Sequence, residues 1–287
     1  MENETNINET NINATKDKEK KNINLLWTGG WDSTFQLLQL LLVYKTEVTL
    51  FYLIHSERKS LGLEIRTMKR IKDQLIKDYP HTKDLLKPIQ YYTVTDISPD
   101  NGISEAYQSI YKKIHIGLQY KWLALLCKQI GITDMQLSVE APHDPEEIYW
   151  DIYLDKILSE KIINSQTVYR VDEKYKEQDF YKIFHYFDFP IRKLTKIQMA
   201  TIVNKQAWNK IMDLTWFCHN PTCNNKPCGK CKPCQMVIKS GFEWRIPPER
   251  RAISFYYRKI FWPLKSTIKS LLAKLGLFKQ KNDKDFL

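Results

Sequence analysis

A glycine turn follows the first apolar run of the chain, and its residue types suit the binding of phosphate. Residues 25–34 read Leu-Leu-Trp-Thr-Gly-Gly-Trp-Asp-Ser-Thr. Gly29 and Gly30 permit positive φ and let the backbone come close to a ligand. A helix that begins at Ser33 would present free N–H groups and the positive end of its dipole. Together with the Ser33 hydroxyl, these groups predict a cradle for a pyrophosphate group.

Two common phosphate-binding loops are excluded by the spacing of this turn. No glycine of the turn precedes Lys-Ser or Lys-Thr, and the two glycines do not fit the pattern Gly-x-Gly-x-x-Gly. The alternative to a ligand site is a tight strand–helix turn that Asp32 or Ser33 caps. Asp32 and Ser33 follow the two glycines after a single intervening residue, and this position favours the ligand site.

A second group of chemically active residues is a run of cysteines in the last third of the chain. Five of the six cysteines lie between Cys218 and Cys234, whereas a disulfide framework would spread them through the chain. Cys228, Cys231 and Cys234 are separated by two residues each, which lets three thiolates fold around one ion. Cys218 or Cys223 would supply the fourth ligand. Because four protein ligands leave no open position, the predicted zinc ion is structural.

Strands and helices that alternate along the chain must position these groups. Apolar runs predict strands over residues 23–28, 47–54, 89–94, 134–139 and 184–189. Helical spacing of apolar residues predicts helices over residues 33–44, 61–77 and 117–130. Thr195 and Gln198 predict a capping box that opens a further helix. The β-α-β-α order predicts an α/β fold with a doubly wound parallel sheet, whose ligands bind beyond the carboxyl ends of the strands.

Four regions follow from the local composition of the chain. Residues 1–22 are low in complexity and poor in apolar side chains, which predicts a disordered tail. Residues 23–210 carry the alternating elements, and residues 211–245 carry the cysteine knuckle. Residues 246–287 are basic and aromatic, and we expect them to form a helical tail.

Length and charge set broad limits on the class of protein. The chain has 287 residues and a formal net charge of +11. It shows neither an apolar stretch of transmembrane length nor a secretion signal, so we expect a cytoplasmic protein. The charge predicts attraction to anions such as nucleotides, nucleic acid or acidic membranes, or simply a solvated basic surface. Cys127 lies on an apolar helix and is expected in the core.

Both groups of residues resemble motifs of a known family. The glycine turn resembles the Ser-Gly-Gly-x-Asp-Ser signature of PP-loop ATP pyrophosphatases, with Thr28 in place of the first serine. The cysteines resemble the zinc motif of QueC-type 7-cyano-7-deazaguanine synthases, in which a Thr-Trp-Ser-Cys-like segment supplies the first ligand. Residues 215–218 match that segment, so the resemblance implies zinc on Cys218, Cys228, Cys231 and Cys234. It leaves Cys223 or His219 as a spare group near the ion.

The resemblance covers residues 23–245 and implies a fold, an activity and cofactors. The fold is the HUP-type doubly wound sheet, and the cofactors are ATP, Mg²⁺ and a structural Zn²⁺. Members of the family are ATP-dependent ligases that adenylate 7-carboxy-7-deazaguanine, release pyrophosphate and add ammonia, then repeat the activation to form the nitrile. AMP and pyrophosphate are therefore the expected nucleotide products.

The site residues follow from the motif and from the sheet edge. The expected ATP-binding residues are Thr28, Gly29, Gly30, Trp31, Asp32, Ser33, Thr34 and Ile54. The expected catalytic residues are Asp32, Ser33, His143, Arg192 and Lys196. Asp32 would hold magnesium or shape the loop, and Arg192 or Lys196 would neutralise phosphate charge, although each also suits a plain surface base.

The loop after the fourth predicted strand is the expected substrate reader. Glu140, His143 and Asp144 would contact the substrate or move protons there, and His143 is the best titrating group. An ordinary polar loop is the alternative.

The departures from the family fall in the substrate region. Residues 114–120, 139–145 and 52–55 differ from the segments that typical members carry at these places. The chain is therefore expected to be a divergent member, and some QueC-like proteins occur in bacterial defence gene clusters. One alternative function is a ligase that joins a deazaguanine to a macromolecular amine. Another is a non-catalytic, zinc-stabilised protein that binds nucleotide or nucleic acid.

The C-terminal tail carries an apolar stripe at helical spacing. Pro263 suits a helix start, and the stripe consists of Leu264, Ile268, Leu271, Leu275 and Phe278. An aromatic cluster precedes it, formed by Phe255, Tyr256, Tyr257, Phe261 and Trp262. Packing onto the protein's own core is one interpretation; a partner protein, a nucleic acid or a membrane surface are the others. We favour a protein contact through residues 253–278, with a second subunit or a substrate protein.

Overall fold

In a computed structural model of the chain, the fold is built around one seven-stranded sheet. The model describes residues 22–141, 149–261, 263–264 and 267–268, and the side chains of residues 149–152 are not described. The strands are β1 (Asn22–Leu26), β2 (Glu47–Ile54), β3 (Gln90–Thr93), β4 (Met135–Gln136), β5 (Leu158–Ile163), β6 (Gln166–Val171) and β7 (Phe187–Phe189). Their order across the sheet is β3-β2-β1-β4-β7-β6-β5.

Five of these strands form the predicted parallel sheet, and a hairpin extends it. β3, β2, β1, β4 and β7 pair in parallel. β6 runs antiparallel to both β7 and β5, and this hairpin at the edge of the sheet was not predicted from the sequence. Arg170 on β6 holds the hairpin in place, because its guanidinium donates two hydrogen bonds of 2.6 and 2.9 Å to the buried Asp188 on β7.

Helices cover both faces of the sheet, as the doubly wound prediction requires. The helices are α1 (Trp31–Leu38), α2 (Leu61–Asp78), α3 (Thr82–Leu85), α4 (Asn101–Lys113), α5 (Leu118–Ile130), α6 (Tyr149–Ile157), α7 (Asp179–Phe184), α8 (Lys196–Lys205), α9 (Asn209–Met212), α10 (Lys232–Lys239) and α11 (Pro248–Tyr256). Two π-helical turns continue α1 and α11, over Gln39–Val43 and Tyr257–Phe261. Three 3-10 turns lie at Val94–Asp96, Glu173–Tyr175 and Glu243–Arg245.

The two faces of the sheet pack into two separate apolar cores. Val48, Leu50 and Tyr52 of β2 point into the core that also holds side chains of α1, α2, α8 and α9. Phe51, between them in sequence, points into the opposite core with side chains of α4, α5 and α7. This alternation follows from the period of two in a strand, and it explains why β2 reads as a continuous apolar run.

The predicted elements are confirmed in type, but several boundaries differ: α1 begins at Trp31 and not at Ser33, and β4 spans only Met135–Gln136 of the predicted residues 134–139. β2 spans the predicted residues, and the strand and helix predicted on either side of the glycine turn are β1 and α1. Phe184 was predicted to begin the last strand, but it ends α7, and β7 begins at Phe187. Thr195 and Gln198 form the predicted capping box at the start of α8.

Two residues beside the predicted region boundaries take part in folded elements. Asn22 was placed in the tail but begins β1; residues 1–21 lie outside the described part of the chain. The cysteine knuckle has a small core of its own, to which Ile246 contributes beyond the predicted boundary at residue 245. Within the described residues, no helix has the length and hydropathy needed to cross a bilayer.

Candidate active site and metal centre

The candidate site lies where the strand order of the sheet reverses. After β1 the chain forms β2, which lies beside β1, and then β3, which lies beside β2. The chain then returns to form β4 on the other side of β1. The carboxyl ends of β1 and β4 therefore border a crevice, the usual ligand site of such sheets. The glycine turn leaves β1 there, Glu140 follows β4, and Lys196 begins the helix after β7.

The glycine turn adopts the backbone that the sequence predicted. Gly29 has a φ of +67°, which favours glycine, and a Cβ at this position would lie 3.0 Å from Met68 Cγ on α2. Gly30 is the N-cap of α1, and no side chain caps the helix. The N–H groups of the first turn of α1 have no intrahelical acceptor. They are thus oriented to bind an anion, and the helix dipole favours negative charge there.

The two hydroxyls of the turn lie beside these N–H groups. Ser33 Oγ lies 3.4 Å from Thr28 Oγ1 and 3.4 Å from the carbonyl oxygen of Gly30. Both side chains are thus held at the turn by weak contacts that a ligand oxygen could replace. Thr34 differs, because its hydroxyl accepts a hydrogen bond of 3.1 Å from the buried Trp27 indole. Its side chain therefore belongs to the interior, although it was predicted to bind ATP.

Lys196 joins the two borders of the crevice. Its Nζ lies 2.9 Å from Asp32 Oδ1 on the glycine turn and 3.0 Å from Glu140 Oε1 after β4. Burial lowers the pKa of this lysine, but the two carboxylates raise it by more, so the net pKa is raised. The ammonium group is therefore charged at neutral pH and is held by two elements that the sheet brings together.

Arg192 supports this arrangement from the interior. Its side chain is fully buried, and its guanidinium binds both carboxylate oxygens of Asp155 at 2.8 and 3.1 Å. It also donates a hydrogen bond of 2.6 Å to the backbone carbonyl of Glu140. Arg192 was predicted to neutralise phosphate charge, but this position instead suits a residue that orients the Glu140 segment.

The carboxyl end of β2 forms another border of the site. Ile54, a predicted ATP-binding residue, is the last residue of β2 and is partly buried. The next residue, His55, stacks on Trp122 of α5 with ring centroids 5.0 Å apart. No role in the site was predicted for either ring from the sequence.

A buried carboxylate, which no sequence motif marks, holds the loop after β2. Glu64 on α2 accepts hydrogen bonds from the Tyr52 hydroxyl at 2.7 Å and from the Ser60 hydroxyl at 2.6 Å. Arg58 lies 3.2 Å from the same carboxylate and balances its charge. Burial and the Glu64 carboxylate both raise the pKa of Tyr52. A glutamate in the first turn of an amphipathic helix reads as a surface residue, so only the packing of the loop reveals this role.

Two predicted substrate residues cannot be placed. His143 and Asp144 lie outside the described residues, in the segment 142–148. Their roles stay predictions. Glu140, the third residue of that group, is the one that contacts Lys196.

Four cysteines meet in the knuckle. Cys218, Cys228, Cys231 and Cys234 bring their Sγ atoms within 4.8 Å of one another. Neighbouring sulfurs are separated by 3.8, 3.8 and 3.4 Å. Zinc–sulfur bonds of about 2.3 Å in a tetrahedron place sulfurs about 3.8 Å apart. An iron–sulfur cluster binds its cysteines through separate irons and needs wider spacing, so the thiols fit a single ion.

Backbone donors around the sulfurs favour their thiolate forms. The amide of Cys228 donates to Cys218 Sγ at 3.2 Å, and the amides of Lys230 and Cys231 donate to Cys228 Sγ at 3.3 Å. Such donors stabilise negative sulfur, as metal binding requires.

Gly229 shapes the turn between two of these cysteines. It has a φ of +76°, and a Cβ there would lie 2.4 Å from the carbonyl oxygen of Arg250 on α11. The Arg250 guanidinium in turn donates a hydrogen bond of 2.7 Å to the Cys228 carbonyl. The knuckle and α11 are therefore fixed to each other at close range.

The remaining cysteines stand apart from this group. Cys223, the alternative fourth ligand, is exposed and is not among the four clustered thiols. Cys127 is buried in the core, as predicted, and burial raises its pKa to about 12. The structure therefore gathers the thiol set that the family resemblance implied.

The knuckle contacts the glycine turn directly. The backbone amide of Trp216, two residues before the first clustered cysteine, donates a hydrogen bond of 3.0 Å to the carbonyl of Gly29. Arg245 reinforces the contact, because its guanidinium lies 5.3 Å from the Trp31 ring and 5.1 Å from the Phe217 ring. It also donates a hydrogen bond of 2.6 Å to the Thr215 carbonyl.

Arg245 places a positive charge beside the site, and no sequence motif marks this residue. Burial lowers its pKa to about 10, against the opposing effect of Asp213 and Asp32. The side chain is therefore cationic at neutral pH. Trp31, predicted to bind ATP, is buried beneath this guanidinium and also packs edge-on against Phe242. Its ring serves the junction between turn and knuckle.

Comparisons with known proteins do not assign a family. No family model matches the chain, and no curated protein matches it. Among solved structures it is similar to the U34-tRNA thiolase NcsA from Methanococcus maripaludis with its 4Fe-4S cluster. The similarity covers 85% of this chain and 72% of that chain, with 12% identity and a TM-score of 0.38. A likeness this weak carries no functional assignment, which therefore rests on the site.

Proposed function

We propose that the chain is a PP-loop ATP pyrophosphatase that adenylates a carboxylate and transfers its acyl group to a nitrogen nucleophile. The observation that carries this proposal is the position of Lys196. Its ammonium group bridges Asp32 on the glycine turn and Glu140 after β4, at the point where the strand order reverses. A cation held beside an uncapped helix N-terminus suits the binding of a polyphosphate.

The glycine turn would hold the β- and γ-phosphates of ATP. The N–H groups of Trp31, Asp32 and Ser33 face that position, and the Thr28 and Ser33 hydroxyls add donors. Gly29 and Gly30 let the backbone come close to the phosphate oxygens. Asp32 orients Lys196, and its carboxylate is also the group on the turn best suited to Mg²⁺.

The reaction would proceed in two half-reactions, adenylation of the carboxylate and then transfer of the acyl group to nitrogen. A carboxylate oxygen of the substrate attacks the α-phosphorus of ATP, the bond from that phosphorus to the bridging oxygen breaks, and pyrophosphate leaves with the electron pair. A nitrogen nucleophile then attacks the acyl carbon, loses a proton and displaces AMP. Lys196 would stabilise the charge that develops on the phosphate oxygens in the first step. Glu140 lies where it could accept the proton in the second step.

The substrate we propose is a flat, purine-like carboxylate of the 7-deazaguanine type. The resemblance of the glycine turn and the cysteines to the family motifs motivates this class. The ring of His55, which follows β2 and stacks on Trp122, would offer a flat aromatic surface to such a substrate. The altered segments around residues 114–120 and 139–145 make a different acceptor the second candidate, namely a macromolecular amine in place of ammonia.

The zinc we propose in the knuckle is structural. Four cysteine ligands leave no position for water or substrate, and the nearest connection to the crevice is through the backbone of Trp216 and Gly29. The ion would fix the knuckle, and the knuckle would fix the glycine turn.

One incubation tests the activity. The purified protein receives MgATP and 7-carboxy-7-deazaguanine, with and without ammonia, while nucleotide products, pyrophosphate and the product mass are followed. We expect AMP and pyrophosphate, together with an amide or nitrile when ammonia is present. ADP and phosphate as products would contradict the proposal. AMP release that needs the carboxylate but gives no amide with ammonia would favour the macromolecular acceptor.

A further inference from the structure

The helix after the metal centre carries its large apolar side chains outward. Along α11 and the π-helical turn Tyr257–Phe261, more than a third of each of these side chains is exposed: Ile253, Phe255, Tyr256, Ile260 and Phe261. Leu264 and Ile268, the described part of the predicted C-terminal stripe, are exposed as well. A surface helix normally turns such a face toward the core, so this outer face is unusual in a folded chain.

The inner face of the same helix is polar and is fixed to the metal centre. Arg250 binds the Cys228 carbonyl, and Ser254 is fully buried. Lys230 of the knuckle lies 5.9 Å from the centre of the Tyr257 ring. Turning the apolar face inward would break these contacts, so the orientation is a property of the fold.

Cations outnumber carboxylates on α11 and the π-helical turn. The one carboxylate of these described residues, Glu249, pairs with Lys226 of the knuckle at 3.1 Å. From Arg250 to Asn282 the sequence contains nine Lys or Arg residues and no Asp or Glu. Within the described helix these include Arg258 and Lys259, of which Lys259 is exposed on the same side as Tyr256 and Ile260. Aromatic and aliphatic side chains are therefore interleaved with cations, and no carboxylate of that segment opposes them.

We propose that this outer face binds the surface of an anionic lipid bilayer, with the helix lying in the plane of the interface. The apolar side chains would enter the boundary between head groups and acyl chains, while Arg258 and Lys259 would meet lipid phosphates. This inference goes beyond the proposed enzymatic function and does not depend on it. Leu271, Leu275 and Phe278 of the stripe expected from the sequence lie outside the described residues, and the protein contact expected there stays a prediction.

Two other occupants fit the surface less well. A second copy of the chain would bring two cationic surfaces together, which costs electrostatic free energy. A nucleic acid backbone would pair with the cations but would leave Ile253 and Ile260 in water. A bilayer of anionic lipid satisfies both kinds of side chain at once.

Co-sedimentation with vesicles tests the proposal on the full chain. Vesicles are made of phosphatidylcholine alone or of an equimolar mixture with phosphatidylglycerol. We expect binding to the anionic mixture that weakens at high salt, and little binding to the neutral vesicles. Ile260→Asp should weaken binding by about tenfold or more, because it places a charge in the apolar face. Ile162→Asp is the matched control, since Ile162 is exposed on β5 and should leave binding unchanged.

A second variant tests the same surface in case the Ile260→Asp protein unfolds or does not retain metal in the knuckle. Lys259→Glu alters an exposed cation, and it should weaken binding to the anionic vesicles by at least about fivefold. Equal binding of all variants, or equal binding to neutral vesicles, would overturn the proposal. So would a dimer in sedimentation equilibrium that Ile260→Asp dissociates, or RNA binding that competes with vesicles and is unaffected by Ile260→Asp.

Discussion

The backbone amide of Trp216 donates a hydrogen bond of 3.0 Å to the carbonyl of Gly29. This bond joins the cysteine knuckle to the glycine turn across 187 positions of sequence, the difference between 216 and 29. It makes the turn dependent on a segment that the metal centre holds in place. Stability of the knuckle and geometry of the nucleotide site are therefore expected to change together.

Removal of a clustered cysteine should release the metal and weaken the site. Cys228→Ser or Cys231→Ser should reduce the bound zinc from about one ion per chain and lower the melting temperature, because structural zinc supplies folding free energy. Metal analysis and thermal unfolding measure both effects. Cys223→Ser is the matched control, since that thiol is exposed and outside the cluster. A Cys228→Ser protein with full metal content and wild-type stability would refute the assignment.

Loss of the Lys196 charge should abolish pyrophosphate release. Lys196→Met should lower the rate by about 100-fold or more, because it removes a preorganised cation from the developing phosphate charge. Lys205→Met, on the exposed side of the same helix, serves as the control and should retain activity. Circular dichroism establishes that both variants fold. Full activity in Lys196→Met would remove the observation on which the proposed function rests.

Lys196 should keep its proton throughout the physiological range. Asp32 and Glu140 outweigh burial and raise its pKa above the ordinary value of 10.5. A raised pKa in the folded state contributes stability that is complete below the unfolded pKa and is lost as the pH rises through the folded pKa. The difference in free energy of unfolding between wild type and Lys196→Met should therefore stay constant from roughly pH 7 to 9. A difference that shrinks within that range, measured by denaturant titration, would show a neutral lysine.

Two glycines with similar positive φ angles allow the cost of backbone strain to be measured apart from the cost of side-chain crowding. Gly29→Ala should lower the free energy of unfolding by about 2–4 kcal/mol, because φ is positive and the new Cβ meets Met68. Gly131 has a φ of +70° and open space around it, so Gly131→Ala should cost only about 1 kcal/mol. Denaturant titration measures both. Equal costs would mean that the turn does not pack against α2 as described.

The guanidinium of Arg245 should matter for its shape as well as its charge. Arg245→Lys keeps the charge but loses the planar contact with Trp31 and Phe217, so the free energy of unfolding should fall by about 1–2 kcal/mol. Arg245→Ala also removes the hydrogen bond to the Thr215 carbonyl and should cost about 1 kcal/mol more. Both variants should raise the KM for ATP. An Arg245→Lys protein with wild-type stability and KM would show that charge alone suffices.

Much of the architecture could be predicted, because local patterns encode local structure. A continuous apolar run placed β2 correctly, the capping box placed α8, and the two-residue spacing of three cysteines indicated a metal centre. The hairpin β5–β6 was missed. Both strands have six residues, but no side chain of β5 is buried and Ile162 is exposed. β5 therefore lacks the apolar run that marks the buried strands.

The sequence by itself determined the chemistry of two short segments, the glycine turn and the cysteine knuckle. In both, neighbours in sequence are neighbours in space, so spacing indicates a phosphate cradle and a metal site of three cysteines. The choice of Cys218 over Cys223 came from the family resemblance. Only the tertiary structure decided which distant groups meet them: Lys196 with Asp32, and Arg245 with Trp31. A lone lysine or arginine has no local signature, because its partner is set by the strand order of the sheet and the packing of its helices, which residue spacing does not contain.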